Sequence, residues 1–236
     1  MMFLKESKVM HWLNIHNTSL CAYYFDKSAY HDSLFSQYKI LMPETIQRSV
    51  IGRKAEFLAG RCSAHKALAK LKIEATSLEI KSDRSTKWPE KVVASISHSG
   101  NTAMCIAAHS EHHAYLGIDI EQLISTSLIA DIENSIINPA ERDRLSATSM
   151  PYSVAFTIAF SAKESLYKAL YPSVGQIFDF DAVELLFIDE TNKTLGFRII
   201  DTLNQKFTSG TRVNGIYNYD EQQVLTCIYK PNESLA

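Results

Sequence analysis

The sequence predicts an α+β protein built from two similar halves. Three observations carry this. The chain has 236 residues, room for one large domain or two of about 110 residues each. Strand-like and helix-like patterns occur in similar proportion before and after Leu116. No low-complexity tract or linker interrupts them, so the expected subdomains are residues 1–116 and 117–236.

Leu20 to Phe25 reads as a strand, and Pro43 is placed to begin a helical region. Gly52 to Leu71 has helical spacing, with Leu58, Cys62 and Ala69 on one side and Phe57, Ala64, Leu68 and Leu71 on another. Ser82 to Glu90 is a polar loop that ends in Trp88-Pro89. Val92 to Ile96 is a short apolar strand, and Ser97-His98-Ser99-Gly100-Asn101 reads as a turn. Thr102 to Ala108 is the strand expected to pair with it, and His109 to Tyr115 is a polar connection. Gly117 to Glu121 is a strand. Helices follow over Ser127 to Ile136, Pro139 to Ala147 and Tyr152 to Leu170. The last quarter reads as strands at 182–188, 195–200, 206–208 and 223–229.

Composition excludes several classes. Apolar residues make up 46% of the chain, enough for a core, and a net charge of −2 gives no global case for nucleic acid or an anionic membrane. Cys21, Cys62, Cys105 and Cys227 are widely spaced without a C-x-x-C, which reads as free thiols in a reducing compartment. No apolar run is long enough for a membrane span, and Met1 to Phe25 lacks the core of a secretory signal. The expectation is a cytoplasmic monomer.

Chemistry concentrates in two segments. In Gly117-Ile-Asp-Ile-Glu121, isoleucines alternate with carboxylates, so Asp119 and Glu121 share one strand face roughly 6.5–7 Å apart. In Phe160-Ser-Ala-Lys-Glu-Ser-Leu-Tyr-Lys168, a helix carries Lys163 and Glu164, with Lys168 one turn after Glu164. Alone, a D-x-E is ordinarily a solvated face and Glu164/Lys168 an ordinary i,i+4 pair. Their apolar surroundings (Val154, Phe156, Ile158, Leu166, Leu170) require partners or a ligand for buried charge. Three carboxylates and two lysines suit Mg²⁺ with a polyphosphate.

A second set is cationic. Arg53 and Arg61 lie eight residues apart on one predicted helix, about 12 Å along its axis. Guanidinium groups bind phosphate bidentately, so the pair could hold an extended anion, though two surface arginines would look the same. Arg84 lies in the polar loop. His98 sits between Ser97 and Ser99, with Gly100 beside them, where backbone N–H groups can approach a phosphate. No G-x-S-x-G elbow, P-loop or Rossmann glycine pattern is present. The polar run with His109, His112 and His113 is a weak metal candidate.

Taken in order, four blocks resemble the Sfp-type 4′-phosphopantetheinyl transferases, in the branch of enterobactin synthase component D. They are Arg53-Lys-Ala-Glu-Phe-Leu-Ala-Gly-Arg61; Trp88-Pro89 with His98 in Ser95-Ile-Ser-His-Ser99; Gly117-Ile-Asp-Ile-Glu121; and Phe160 through Lys168. They span roughly residues 53 to 170. Two positions depart from the pattern: Thr86 stands where proline is common, and Ala94 where glycine is common.

The resemblance implies a pseudo-dimer fold with the site in the cleft between the halves. It implies Mg²⁺ on Asp119, Glu121 and Glu164. Coenzyme A would be held by Arg53, Arg61, Arg84, Ser97, His98, Lys163 and Lys168. Glu164, Lys168 and His98 would be catalytic, with Glu164 as base directly or through a metal-bound water. The implied reaction moves the phosphopantetheine arm onto a serine of an acyl or peptidyl carrier protein in siderophore, polyketide or lipid synthesis. A phosphodiesterase or nuclease, and a non-catalytic nucleotide-binding regulator, are the competing readings. The apolar residues of Leu123 to Ile137 exceed one helix stripe, so this segment is either core or a carrier docking patch, with Leu128 and Ile129 as the deciding positions.

Overall fold

A computed structural model describes residues 2–75 and 77–232. The chain divides into two compact units, Met1–Ala114 with Pro231–Ala236, and Tyr115–Lys230. No helix among the described residues is long and apolar enough to cross a membrane.

The first unit holds strands β1 (Leu4–Glu6), β2 (Ser19–Phe25), β3 (Val92–Ser99) and β4 (Thr102–His109). They form an antiparallel sheet in the order β1-β2-β4-β3. Short helices α1 (Leu34–Gln37) and α2 (Glu44–Gln47) precede the long helix α3 (Ile51–Lys70). Residues 55, 58, 59, 64, 67 and 68 of α3 are buried, and the helix packs against β2 and β4. Ala55, Ala59, Ala64 and Ala67 keep that seam narrow, while Leu58 and Leu68 fill it.

The expected turn at Ser97-His98-Ser99 is strand instead. The β3–β4 ladder continues through His98↔Ala103 to Ser99↔Thr102, and the chain reverses only at Gly100-Asn101, with Gly100 at φ 58°. Apolar β4 offers hydrogen-bonding backbone along its whole length, and that pairing overrides the turn preference of serine. His98 is therefore held on a rigid strand end. β1 was not expected at all. It is three residues long, below what periodicity can register.

In the second unit, β5 (His113–Gln122) leads to α4 (Thr126–Ile136), α5 (Pro139–Ser146) and α6 (Tyr152–Val174). Strands β6 (Val183–Asp189), β7 (Thr194–Ile199), β8 (Arg212–Tyr219) and β9 (Gln223–Pro231) complete a sheet in the order β5-β9-β8-β7-β6. The strand expected at 206–208 is not one; the missing strand is β8. Val213, Gly215 and Tyr217 point inward on it, and a Cβ at Gly215 would sit 2.4 Å from Ile228 Cδ1. Glycine is needed there because the Cβ would also lie 2.7 Å from the backbone oxygen of Cys227, which cannot give way as a side chain can, so a core position reads as a turn signal.

Asn138 caps α5 in a reciprocal capping box with Glu141, with Pro139 in the first turn. In the Leu123–Ile137 segment Ile129, Ile136 and Ile137 are buried, Leu123, Ile124 and Ile132 are part-exposed, and Leu128 is 47% exposed. The segment is thus part core and part surface, with Leu128 on the surface and Ile129 in the core.

Candidate functional site

The cationic set gathers in the first unit. A cleft of about 970 Å³ is lined by Arg53, Glu56, Arg61, Arg84, Thr86 and His98 among others. α3 supplies Arg53 and Arg61, about two turns apart, β3 supplies His98, and the 81–86 turn supplies Arg84. Arg84 adopts φ 68°, and its N–H closes the turn on Lys81 O at 2.9 Å. Ser97, on the strand beside His98, is itself buried.

Arg61 is the most informative of these. It is 5% exposed, its guanidinium lies 4.8 Å from the Phe57 ring centroid, and Nη1 donates to Thr86 Oγ1 at 2.6 Å. Nε is buried without an acceptor among the described residues. Burial lowers its pKa to about 10. A buried cation with an unused donor, facing a cleft, is a site for an anion. Thr86, the departure from the family's proline, gives this guanidinium a hydroxyl partner, a role that the sequence reading did not assign.

Beside it, Arg53 Nη1 contacts His98 Nε2 at 3.0 Å. His98 Nδ1 lies 3.9 Å from Glu56 Oε2, and Glu56 is anchored by Lys27 at 3.0 Å. Glu56, the E of the R-x-x-E-F block, was not singled out as a site residue. Its spacing, one turn from both Arg53 and Gly60, was the available signal.

The acidic set gathers in the second unit, and Gly117 explains how. A Cβ at Gly117 would lie 2.1 Å from Ser165 O and 2.5 Å from Ala169 N. Glycine alone lets β5 touch the backbone of α6. The strand face of residues 117, 119 and 121 thus meets the helix rather than solvent, and Asp119 is 2% exposed. Lys168 Nζ donates to Asp119 Oδ1 at 2.6 Å. Glu164, one turn before Lys168, has its pKa raised by burial and further by the Asp119 charge, while Lys168 opposes the rise.

Two placements qualify the acidic set. Among the described residues, no group of three His, Cys, Asp or Glu side chains is already drawn together around one point. The shared strand face is present, but Asp119 is engaged by Lys168. Lys163 borders the same pocket as Glu164, but its ammonium is committed to protein partners. Its side chain is 1% exposed, paired to Glu141 at 2.9 Å, and donates to the carbonyls of Ile136, Phe180 and Val183. Successive helix residues diverge by about 100°, so Lys163 turns toward α4, α5 and the start of β6 rather than toward Asp119. Burial lowers its pKa and Glu141 opposes that shift.

Glu164 also borders a pocket of about 230 Å³ walled by Tyr167, Ile177, Phe178 and Phe180. Tyr167 lies 5.0 Å from Phe178 and 5.2 Å from Tyr171, ring to ring. The sequence reading missed it because Ile177 to Phe180 carry no periodicity.

Residues 42–108 match the profile of the 4′-phosphopantetheinyl transferase N-terminal domain, and residues 115–227 that of the 4′-phosphopantetheinyl transferase superfamily. Enterobactin synthase component D of Salmonella typhi is 37% identical over 143 residues, 61% of this chain and 58% of that protein. The Escherichia coli K12 protein of the same name is 40% identical over 117 residues, 50% of this chain and 54% of its own length. The 4′-phosphopantetheinyl transferase Svp of Streptomyces mobaraensis is 32% identical over 162 residues, covering 66% of this chain and 65% of Svp. The matches thus span little more than half the length of the enterobactin synthase relatives.

Proposed function

The chain belongs to the 4′-phosphopantetheinyl transferase superfamily, and we propose that it transfers the 4′-phosphopantetheine arm of coenzyme A to a serine of an apo acyl or peptidyl carrier protein. Adenosine 3′,5′-bisphosphate is the other product. The observation that carries the reading is Arg61, a buried guanidinium with an unused donor in a cleft that also holds Arg53, Arg84 and His98. That set suits a ligand with several phosphates, and coenzyme A has three. The enterobactin synthase relatives support a carrier protein of siderophore assembly as acceptor.

The acidic set supports the chemistry. Asp119, Glu121 and Glu164 offer the hard oxygen donors that Mg²⁺ takes, and such an ion, when bound, neutralises charge on the pyrophosphate. Glu164 is the base: burial makes its carboxylate a better proton acceptor. It takes the proton from the serine hydroxyl as the oxygen attacks the phosphorus bearing the pantetheine arm. The bond from that phosphorus to the bridging oxygen breaks, and the oxygen leaves with the nucleotide. Lys168, held by Asp119, supplies positive charge to the phosphate oxygens as this occurs. The Tyr167–Phe178 pocket suits the uncharged, partly apolar pantetheine chain. Lys163 contributes by holding α6 rather than by touching ligand.

The test is incubation with apo carrier protein, coenzyme A and Mg²⁺. Nucleotide release that requires the carrier supports transfer. Coenzyme A cleavage without a carrier would replace it with a phosphodiesterase, and binding without turnover with a regulator. The reading also places the protein in the cytoplasm, where coenzyme A is available.

A further inference from the structure

The contact between Arg53 and His98 has a chemical consequence. A guanidinium can only donate, so His98 Nε2, at 3.0 Å from Arg53 Nη1, must be an acceptor. His98 is then neutral, with its proton on Nδ1, the nitrogen that faces Glu56 Oε2 at 3.9 Å. In this state the imidazole cannot donate through Nε2 to a phosphate oxygen, although it lines the same cleft as Arg53, Arg61 and Arg84. An anion that draws Arg53 to itself releases the Nε2 lone pair. That nitrogen can join the anion only when it carries a proton, and Glu56 beside Nδ1 keeps the first proton there, so a second is needed. The imidazolium so formed has a carboxylate waiting at Nδ1, because Lys27 fixes Glu56 in place at 3.0 Å.

We propose that phosphate binding in this cleft takes up one proton at His98, and that Glu56 is the positioning residue that selects the tautomer and supports the imidazolium. The inference rests on the coenzyme A reading above. The proton comes from solvent and forms the Nε2–H bond; nothing covalent changes on the ligand. The charged groups facing the imidazole from α3 are Arg53 and Glu56, and Ser97 and Ser99 flank it on β3. Arg53 opposes protonation until it turns to the ligand, whereas Glu56 favours it throughout. Glu56, which lines the cleft together with Glu44 and Glu79, thereby has a role despite its repulsion of phosphate.

The experiment is calorimetric titration of the full chain with coenzyme A at pH 8, in buffers of different ionisation enthalpy. At this pH an ordinary imidazole is neutral and a phosphomonoester is already dianionic, so the ligand brings no proton. The expected result is uptake of about one proton per ligand, lost in His98→Asn. Glu56→Gln should bind more weakly at pH 8 and take up less than the native proton there, because the imidazolium loses the carboxylate at Nδ1. Binding with no proton uptake, or uptake that survives His98→Asn, overturns the proposal. Glu56→Gln that binds as tightly at pH 8 overturns the role of Glu56. No detectable coenzyme A binding by the native chain overturns the coenzyme A reading instead, a result separate from these.

Discussion

Lys168 Nζ and Asp119 Oδ1 meet at 2.6 Å across the seam between β5 and α6, two residues along the strand from the point where Gly117 touches the helix backbone. The ion pair and the glycine contact are parts of one arrangement. The strand reaches Lys168 and Glu164 because no side chain intervenes at residue 117.

Gly117→Ala therefore pushes the two elements apart. Its methyl group has no space, and the atoms it meets are backbone of Ser165 and Ala169. We expect a loss of about 3 kcal/mol in urea unfolding, near the upper end of overpacking costs, with transfer activity falling alongside. An alanine variant of native stability would show that the seam can open at little cost.

Lys163 and Glu141 are both 1% exposed, and Glu141 also accepts from the backbone of Asn138 and Leu185. Lys163→Met should cost about 3–5 kcal/mol by leaving that carboxylate uncompensated. The double variant Lys163→Met/Glu141→Gln should regain part of the loss. A single variant of native stability with weakened coenzyme A binding would return Lys163 to the ligand contacts expected from sequence.

Arg61→Ala should raise the apparent constant for coenzyme A about tenfold or more, since a charged hydrogen bond contributes about 1.5–3 kcal/mol. Thr86→Val keeps the side-chain shape and removes the acceptor on which Nη1 rests. A smaller rise in the same constant is expected, with turnover at saturation unchanged. Steady-state kinetics with varied coenzyme A separates these effects from any on the carrier.

Acid stability should depend on Glu184. Hydrogen bonds from Arg198, and then from Arg144, hold its pKa below the usual carboxylate range. Its stabilising contribution is complete above the unfolded-state value of about 4.3 and fades as pH falls through the lower folded value. Unfolding free energy measured from pH 6 down to pH 3 should therefore fall less steeply for Glu184→Gln than for the native chain.

The elements with strong periodicity were legible. α3 and α6 follow from helical spacing, and β5 from alternating isoleucines. What escaped was set by neighbours. Ser97 to Ser99 are strand because β4 pairs with them, and β8 hides its inward Gly215 as a turn signal. The site divides in the same way. Arg53, Arg61, Arg84 and His98 share a cleft, as their charges suggested. Lys163 could not be separated from Glu164 by sequence, because its partner Glu141 lies 22 residues away. The engagement of Asp119 by Lys168 spans 49 residues. Thr86, a departure from a family pattern, became interpretable only as the partner of Arg61.

The central claim is phosphopantetheinyl transfer, and intact-mass measurement of an apo carrier protein tests it most directly. With coenzyme A and Mg²⁺, the account predicts that the carrier gains one phosphopantetheine on its serine, with adenosine 3′,5′-bisphosphate released in equal amount. Chelation of the divalent ion or Glu164→Gln should stop the gain. A carrier that stays unmodified, with siderophore, polyketide and fatty-acid carriers all tried and coenzyme A shown to bind, would contradict it.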